Sequence, residues 1–321
     1  LARTVLITGA TGFVGQGLVA HLRAEGRPIR LAVRSGSGDG NGDADSVAVG
    51  DIGPDTDWSR ALDGIDTVVH LAGRAHVMAK QRDALAQFRK VNAAGTRRLA
   101  EQAEQAGVRR FVLISSVKAA ADTTGEHAIQ ETESAAPRTP YGISKLEAER
   151  ALWDTARSMD AVVLRPPLVY GPGVRANFRA LLRLIDSGLP LPLGSVRNRR
   201  SVICRDNLVS AIAAAMTASG APGKTFFVTE AAPISTPTLI RGLAKALGRP
   251  ARLVSFSPAL IGAFAALVGR RETADSLLGS LAVNGLAFPA ATGWMPPVTQ
   301  EAAFDEVAKW YLQSVGRPSK P

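Results

Sequence analysis

The sequence predicts an α/β fold, a doubly wound parallel sheet joined to a smaller, mostly helical C-terminal lobe, and three observations predict it. Short β-branched runs alternate with longer helical stretches through the first half of the chain. Those runs are nearly continuous in apolar residues, as strands covered on both faces are, and do not alternate as half-exposed strands would. A glycine-spaced turn directly follows the first of them.

Strands are expected over 4–8, 29–33, 47–49, 67–71, 110–115 and 161–164, and helices over 15–24, 83–106 and 141–156. The Gly, Asp and Ser of 35–45 read as an exposed loop. Beyond Tyr170 the pattern is broken by Gly171-Pro172-Gly173 and again at 190–194, and from Ser235 onward it is mainly helical, with Pro296-Pro297 before a last helix over 299–313. This predicts a nucleotide-binding domain over 1–170, to which segments near 200–230 return, and a substrate lobe over 171–321, mainly 171–199 and 231–321. A length of 321 residues suits about two domains at roughly 150 residues each. The longest apolar run, 259–269, falls short of the roughly 18 residues that span a bilayer and reads as a core helix.

Composition narrows the function. At 46% hydrophobic and 21% charged, the chain is neither disordered nor fibrous. Cys204 is the sole cysteine, which excludes a disulfide framework and a cysteine-based zinc site, and His21, His70, His76 and His127 lack the H-x-x-x-H spacing, so no metal is expected. The run entered by Thr4 leaves no room for a signal peptide, and a cytoplasmic protein without membrane insertion is expected. The net charge of +10 suits nucleic acid, a membrane or anionic small molecules. Only 5% of residues are aromatic, and Phe111, Phe226 and Phe227 lie in strand-like runs, which argues against nucleic acid.

The turn Thr8-Gly9-Ala10-Thr11-Gly12-Phe13-Val14-Gly15 links Val5-Leu6-Ile7 to a helix. Glycines at 9, 12 and 15 allow a tight turn, close approach to a pyrophosphate and helix-on-strand packing, and the helix N-terminus attracts the anion. Tyr141 and Lys145, four apart on a predicted helix, project from one face, where the ammonium is expected to lower the phenol pKa toward the working pH. Ser115 and Ser116 end a strand at the carboxyl edge, where doubly wound sheets bind ligands.

That turn, Asp51-Ile52, His70-Leu71-Ala72-Gly73, Asn92, Ser115-Ser116, Tyr141-Gly142-Ile143-Ser144-Lys145 and the segment 164–173 together resemble the extended short-chain dehydrogenase/reductase family, in order over nearly the whole chain. The resemblance implies a Rossmann-type sheet and a catalytic set of Ser116, Tyr141 and Lys145. It implies cofactor contacts from Gly9, Thr11, Gly12, Phe13, Val14, Gly15, Arg34, Ser35, Asp51, Ile52, Leu71, Ala72, Gly73, Asn92, Tyr141, Lys145 and Pro166. Family dehydratases carry an Asp-Glu pair where this chain has Val117 and Lys118, so a 4,6-dehydratase is disfavoured.

The second strand ends in Arg34-Ser35 where an acidic residue would accept both ribose hydroxyls of NAD, and this favours NADP, with NAD as the alternative. Later segments resemble the half of sugar-modifying members that holds a nucleotide diphosphate, and imply substrate contacts from Ser116, Lys118, Asn177, Leu193 and Arg200. Arg197 and Arg199 join Arg200 in a loop suited to two phosphates. Leu168 departs from the Asn of many relatives, and no second diphosphate Arg stands near 277–288. The expected activity is hydride transfer at C4 of a UDP-hexose or UDP-N-acetylhexosamine, as 4-epimerase or 4-keto reductase. The alternatives are a reductase of a non-sugar carbonyl, disfavoured by Arg199-Arg200, and a non-enzymatic NADP sensor, disfavoured by Tyr141 and Lys145. Relatives also suggest a homodimer built on the helices over 83–106 and 141–156.

Overall fold

The computed structural model describes residues 3–34, 45–75, 83–267, 269 and 271–316. The chain runs β1 (Thr4–Thr8), α1 (Phe13–Ala24), β2 (Ile29–Val33), β3 (Ser46–Ala48), α2 (Ser59–Leu62), β4 (Ile65–His70), α3 (Ala84–Phe88), α4 (Gly95–Gln105), β5 (Arg110–Ile114), α5 (Pro140–Thr155), β6 (Asp160–Arg165) and β7 (Leu168–Tyr170). It continues through α6 (Ala176–Asp186), β8 (Val202–Cys204), α7 (Arg205–Thr217), β9 (Lys224–Phe227), α8 (Thr236–Ala246), α9 (Pro258–Leu267), α10 (Arg271–Leu278), α11 (Ala287–Thr292) and α12 (Gln300–Ser314).

Seven parallel strands form the main sheet in the order β3-β2-β1-β4-β5-β6-β9. Chain direction across the sheet reverses between β1 and β4, so the turn after β1 opens at the switch point, where such sheets leave a crevice. Thr8 pairs with Ala32 and His70, His70 with Leu113, and Ile114 with Leu164, so the carboxyl ends line up along one edge. The short parallel pair β7-β8 stands apart from this sheet.

The strands are apolar throughout because both faces are covered. On one face Val5, Ile7, Val69, Val112 and Val162 pack with Leu18 and Leu22 of α1 and Leu208, Ile212 and Met216 of α7. On the other, Leu6, Val68, Phe111 and Val163 meet Leu99 of α4, Leu152 of α5 and Trp58. Burying each such Leu, Val or Phe is worth about 1.5–3 kcal/mol. A third cluster joins α6, α8 and α12 through Leu182, Ile240 and Val307.

Two helical expectations need correction. The helix expected over 83–106 is interrupted by a π-helical turn at Arg89–Ala94, which carries Asn92. Apolar periodicity does not register one extra residue in a turn. The helix expected to lie in the core at 259–269 is α9, and none of its residues is buried. Leu260, Phe264 and Leu267 are 59%, 67% and 85% exposed, because no described element covers that face of a helix apolar almost all round. The expected loop over 35–45, and Ser35 with it, lies outside the described residues apart from Asp45.

Candidate active site

Gly9 and Gly15 show why the turn after β1 is glycine-rich. Gly9 has φ +71°, and a Cβ there would stand 2.8 Å from the Ala72 amide nitrogen. A Cβ on Gly15 would stand 2.1 Å from the Gly9 carbonyl oxygen. Gly12 caps α1 in extended conformation, leaving the first-turn amides at the switch point. Phe13 lies beneath the Arg205 guanidinium, 5.8 Å from its ring centroid, and beside Gly171 and Gly173. The Gly-Pro-Gly break therefore folds back onto the dinucleotide turn. Val14 packs on the sheet core and Thr11 is exposed.

Past β3, Ile52 packs against the α4 side of the sheet, and exposed Asp51 sits 3.4 Å from the Arg34 guanidinium at the end of β2. Leu71, Ala72 and Gly73 follow β4, with the Leu71 amide donating to Thr8 O. Pro166 follows β6, and its carbonyl accepts from the Val117 amide.

The three predicted catalytic residues converge at the carboxyl edge. Ser116 caps the short 3-10 turn Val117–Ala119, its hydroxyl accepting from the Lys118 amide, and it also hydrogen-bonds the Tyr141 phenol. Tyr141 enters on the first turn of α5, which Thr139 caps by accepting from the Gly142 amide, and its ring meets Phe88 edge-on at 5.8 Å. A Cβ on Gly142 would stand 2.4 Å from Lys118 O, so α5 approaches the Ser116 turn as closely as backbone permits. One turn on, Lys145 is buried and donates from Nζ to Ile114 O at 2.8 Å.

The electrostatics differ from the sequence expectation. Burial raises the Tyr141 pKa, the Ser116 hydrogen bond lowers it, and Lys145 is not among the causes. The ammonium is held at the Ile114 carbonyl, so the phenol is neutral at working pH and is poised to give a proton. Burial lowers the Lys145 pKa to about 8, with Glu149 pulling it upward.

A relay that the sequence reading missed joins the cofactor side to α5. The Thr8 hydroxyl accepts from the Ala72 amide and lies 2.7 Å from His70 Nδ1, to which it donates when Nε2 carries the ring proton. The Thr96 hydroxyl donates to Asn92 O, so it accepts from His70 Nε2 at 3.1 Å. Asn92, predicted from the resemblance to lie by the cofactor, is buried; it exchanges hydrogen bonds with the Arg74 backbone and donates to Ser144 Oγ, which donates to Tyr141 O. Burial, and then Lys145, lower the His70 pKa to about 3, so His70 is a neutral spacer.

A second missed cluster lies beneath the catalytic residues. Glu149 takes the Ser115 hydroxyl and a two-pronged Arg165 guanidinium, with Nη2 to Oε2 at 2.6 Å. Glu149 and Arg165 are both buried. The available signal was spacing, since Tyr141, Lys145 and Glu149 recur at i, i+4 and i+8 on one helix face.

On the substrate side, Lys118 Nζ donates to Asp122 O, and Arg200 is near enough to lower its pKa after burial. Arg200 pairs by backbone with Ile234 and Leu281 and donates to Gly279 O. Buried Asn198, also missed, fixes this segment with its Nδ2 shared among Thr236 Oγ1, Leu277 O and Gly279 O, all within 3.0 Å. Leu193 is buried in the lobe core, Asn177 is exposed on the first turn of α6, and Arg197 and Arg199 are exposed. Cys204 packs in the same core, its thiol pKa pushed up to about 12 by burial. No group of three or more potential metal ligands occurs among the described residues.

The parallel sheet, the glycine turn at its switch point and the Ser-Tyr-Lys set define an enzyme of the extended short-chain dehydrogenase/reductase type. Residues 5–228 match the NAD dependent epimerase/dehydratase family, and the chain belongs to it. Over its whole length it is similar to a UDP-glucose 4-epimerase of Vibrio cholerae, at 39% identity, covering 99% of this chain and 98% of that one. The fold is shared with UDP-N-acetylglucosamine 4-epimerase from Bacillus cereus, with a TM-score of 0.77 at 20% identity over 95% of this chain and 98% of that one. It is shared as well with the Bordetella bronchiseptica enzyme WbmG in complex with NAD, with a TM-score of 0.76 at 21% identity over 98% and 95% of the two chains.

Proposed function

We propose that this enzyme carries out hydride transfer at C4 of a UDP-hexose or UDP-N-acetylhexosamine, with Tyr141 as the acid and base. The observation that carries the reading is the convergence of Ser116, Tyr141 and Lys145 beside a turn whose Gly9 and Gly15 leave no room for a Cβ. Residues 1–170 with the returning segments near 200–230 bind the cofactor in this reading, and 171–199 with 231–321 bind the substrate.

The glycine turn and the N-terminus of α1 suit a pyrophosphate, and Asp51, Ile52 and Gly73 border the path along the strand ends, so a nicotinamide dinucleotide fits the residues present. When bound, it supplies or accepts the hydride. In the reductive direction the neutral Tyr141 phenol gives its proton to the C4 oxygen while the Ser116 hydroxyl bonds the same oxygen. Lys145, protonated below about pH 8 and anchored at Ile114 O, holds the nicotinamide ribose in this reading. The reverse sequence oxidises the alcohol. Lys118 and Arg200 supply cationic character for a diphosphate, which a non-sugar carbonyl substrate would not use.

The same residues serve 4-epimerisation and 4-keto reduction, and the cofactor separates them. Arg34 at the end of β2 offers a guanidinium to a 2′-phosphate, which supports NADP and net reduction. The Vibrio cholerae UDP-glucose 4-epimerase relative supports epimerisation, and the match to the NAD dependent epimerase/dehydratase family supports NAD. The test is to read the cofactor released from purified protein, then compare NADPH oxidation on UDP-4-keto sugars with UDP-glucose and UDP-galactose interconversion. Arg34→Ala is expected to weaken NADPH at least tenfold and leave NADH unchanged; equal losses for both, or for neither, contradict the NADP assignment.

The groove of ≈ 700 Å³ between the π-helical turn and α5, lined by Ala86, Ala93, Ala94 and Ala151, supports a homodimer through these helices. The free, buried Cys204 suits a reducing, cytoplasmic compartment.

A further inference from the structure

We infer that α9 is a docking surface for an anionic lipid bilayer, lying in its interface without crossing it. The outward residues Leu260, Phe264 and Leu267 recur at helical spacing on one side, exposed Phe256 precedes the helix, and Ile261 leans on the lobe core. The segment that leads into α9 is held in place: Leu191 N donates to Arg252 O, Val254 N to Leu191 O, and Gly194 N to Val254 O. α9 itself packs against α10 and, through Ile261, against the lobe core, so its exposed apolar side chains are a presented surface of that lobe.

Charge identifies the occupant. From Ala231 through Arg271 the sequence has no Asp or Glu, yet it contains Arg241, Lys245, Arg249, Arg252, Arg270 and Arg271. Lys245 and Arg249 pair with Glu301 and Asp186 from neighbouring helices. Arg252 is exposed just before the apolar face, and Arg270-Arg271 follow it in sequence. An apolar helix face preceded by exposed Arg252, in a stretch without acidic residues, matches a surface that is anionic at the headgroups and apolar beneath them. A second copy of the chain would set like charges against each other across a two-fold axis. A protein partner would be expected to meet a rim of mixed polar residues, and the stretch 231–271 that carries this face has no acidic residue. The site also gives a role to part of the +10 charge that the cofactor and substrate do not use. Among the described residues no helix is long and apolar enough to cross a membrane, so the contact is interfacial.

The test is co-sedimentation of the full chain with vesicles of phosphatidylcholine and phosphatidylglycerol in equal parts, against phosphatidylcholine alone. Wild type is expected to bind the anionic vesicles at least tenfold more tightly. The triple variant Leu260→Ser, Phe264→Ser, Leu267→Ser is expected to lose that binding tenfold or more while keeping its Tm. Independently, Leu267→Cys carrying an environment-sensitive fluorophore, with buried Cys204 unlabelled, is expected to shift blue on addition of the anionic vesicles. Equal binding by wild type and the triple variant would reduce the effect to bulk charge and overturn the inference. No binding by wild type, no spectral shift, or a vesicle-free oligomer that the triple variant loses would overturn it as well.

Discussion

Lys145 shows how a single burial sets the working range of the site. Its pKa of about 8 leaves the ammonium present below that pH and lost above it, so kcat/KM is expected to fall above about pH 8. A pH–rate profile of Lys145→Arg, whose charge persists, should lack that limb even if its plateau is lower. His70 acts in the opposite range. Its folded pKa of about 3 lies below its ordinary 6.5, so below pH 6.5 the unfolded chain takes up a proton that the folded chain refuses. This contribution is whole above pH 6.5 and is lost progressively toward pH 3. From pH 7 to pH 5 it costs about 2 kcal/mol of stability. Denaturant melts at the two pH values should show that loss in wild type, and His70→Asn, less stable at pH 7, should lack the same slope.

At the scale of elements, Glu149 ties α5 to the ends of β5 and β6 through Ser115 and Arg165. Removing the carboxylate strands a buried guanidinium, so Glu149→Ala is expected to destabilise the fold by about 3–5 kcal/mol. Urea melts measure it, and a loss below about 1 kcal/mol would deny the cluster its structural part. Six of the seven strands of the main sheet were legible because burial on both faces leaves nearly unbroken apolar runs, as in Arg110–Ile114, whereas β9 was not among those expected. The π-helical turn was not, because Asn92 reads the same in any helical register until Arg74 and Ser144 come to meet it. Nor was the exposure of α9, since Leu and Phe at helical spacing look alike whether covered or bare.

For the whole molecule, Ser116, Tyr141 and Lys145 were legible because each sits at a strand end or on a helix face that the βα pattern orients toward one edge. The relay through Thr8, His70 and Thr96 was illegible because its members are distant in sequence and meet only across β1, β4 and α4. In the proposed mechanism that relay and the Glu149 cluster position Tyr141 through α5, so chemistry and scaffold are expected to be separable by mutation. Tyr141→Phe removes only the hydroxyl and leaves the Phe88 contact and the α5 backbone intact. The direct measurement is turnover of the UDP-sugar by Tyr141→Phe alongside its affinity for the nicotinamide dinucleotide. The proposed mechanism predicts turnover reduced at least a hundredfold with cofactor affinity changed less than threefold; wild-type turnover in that variant would contradict it.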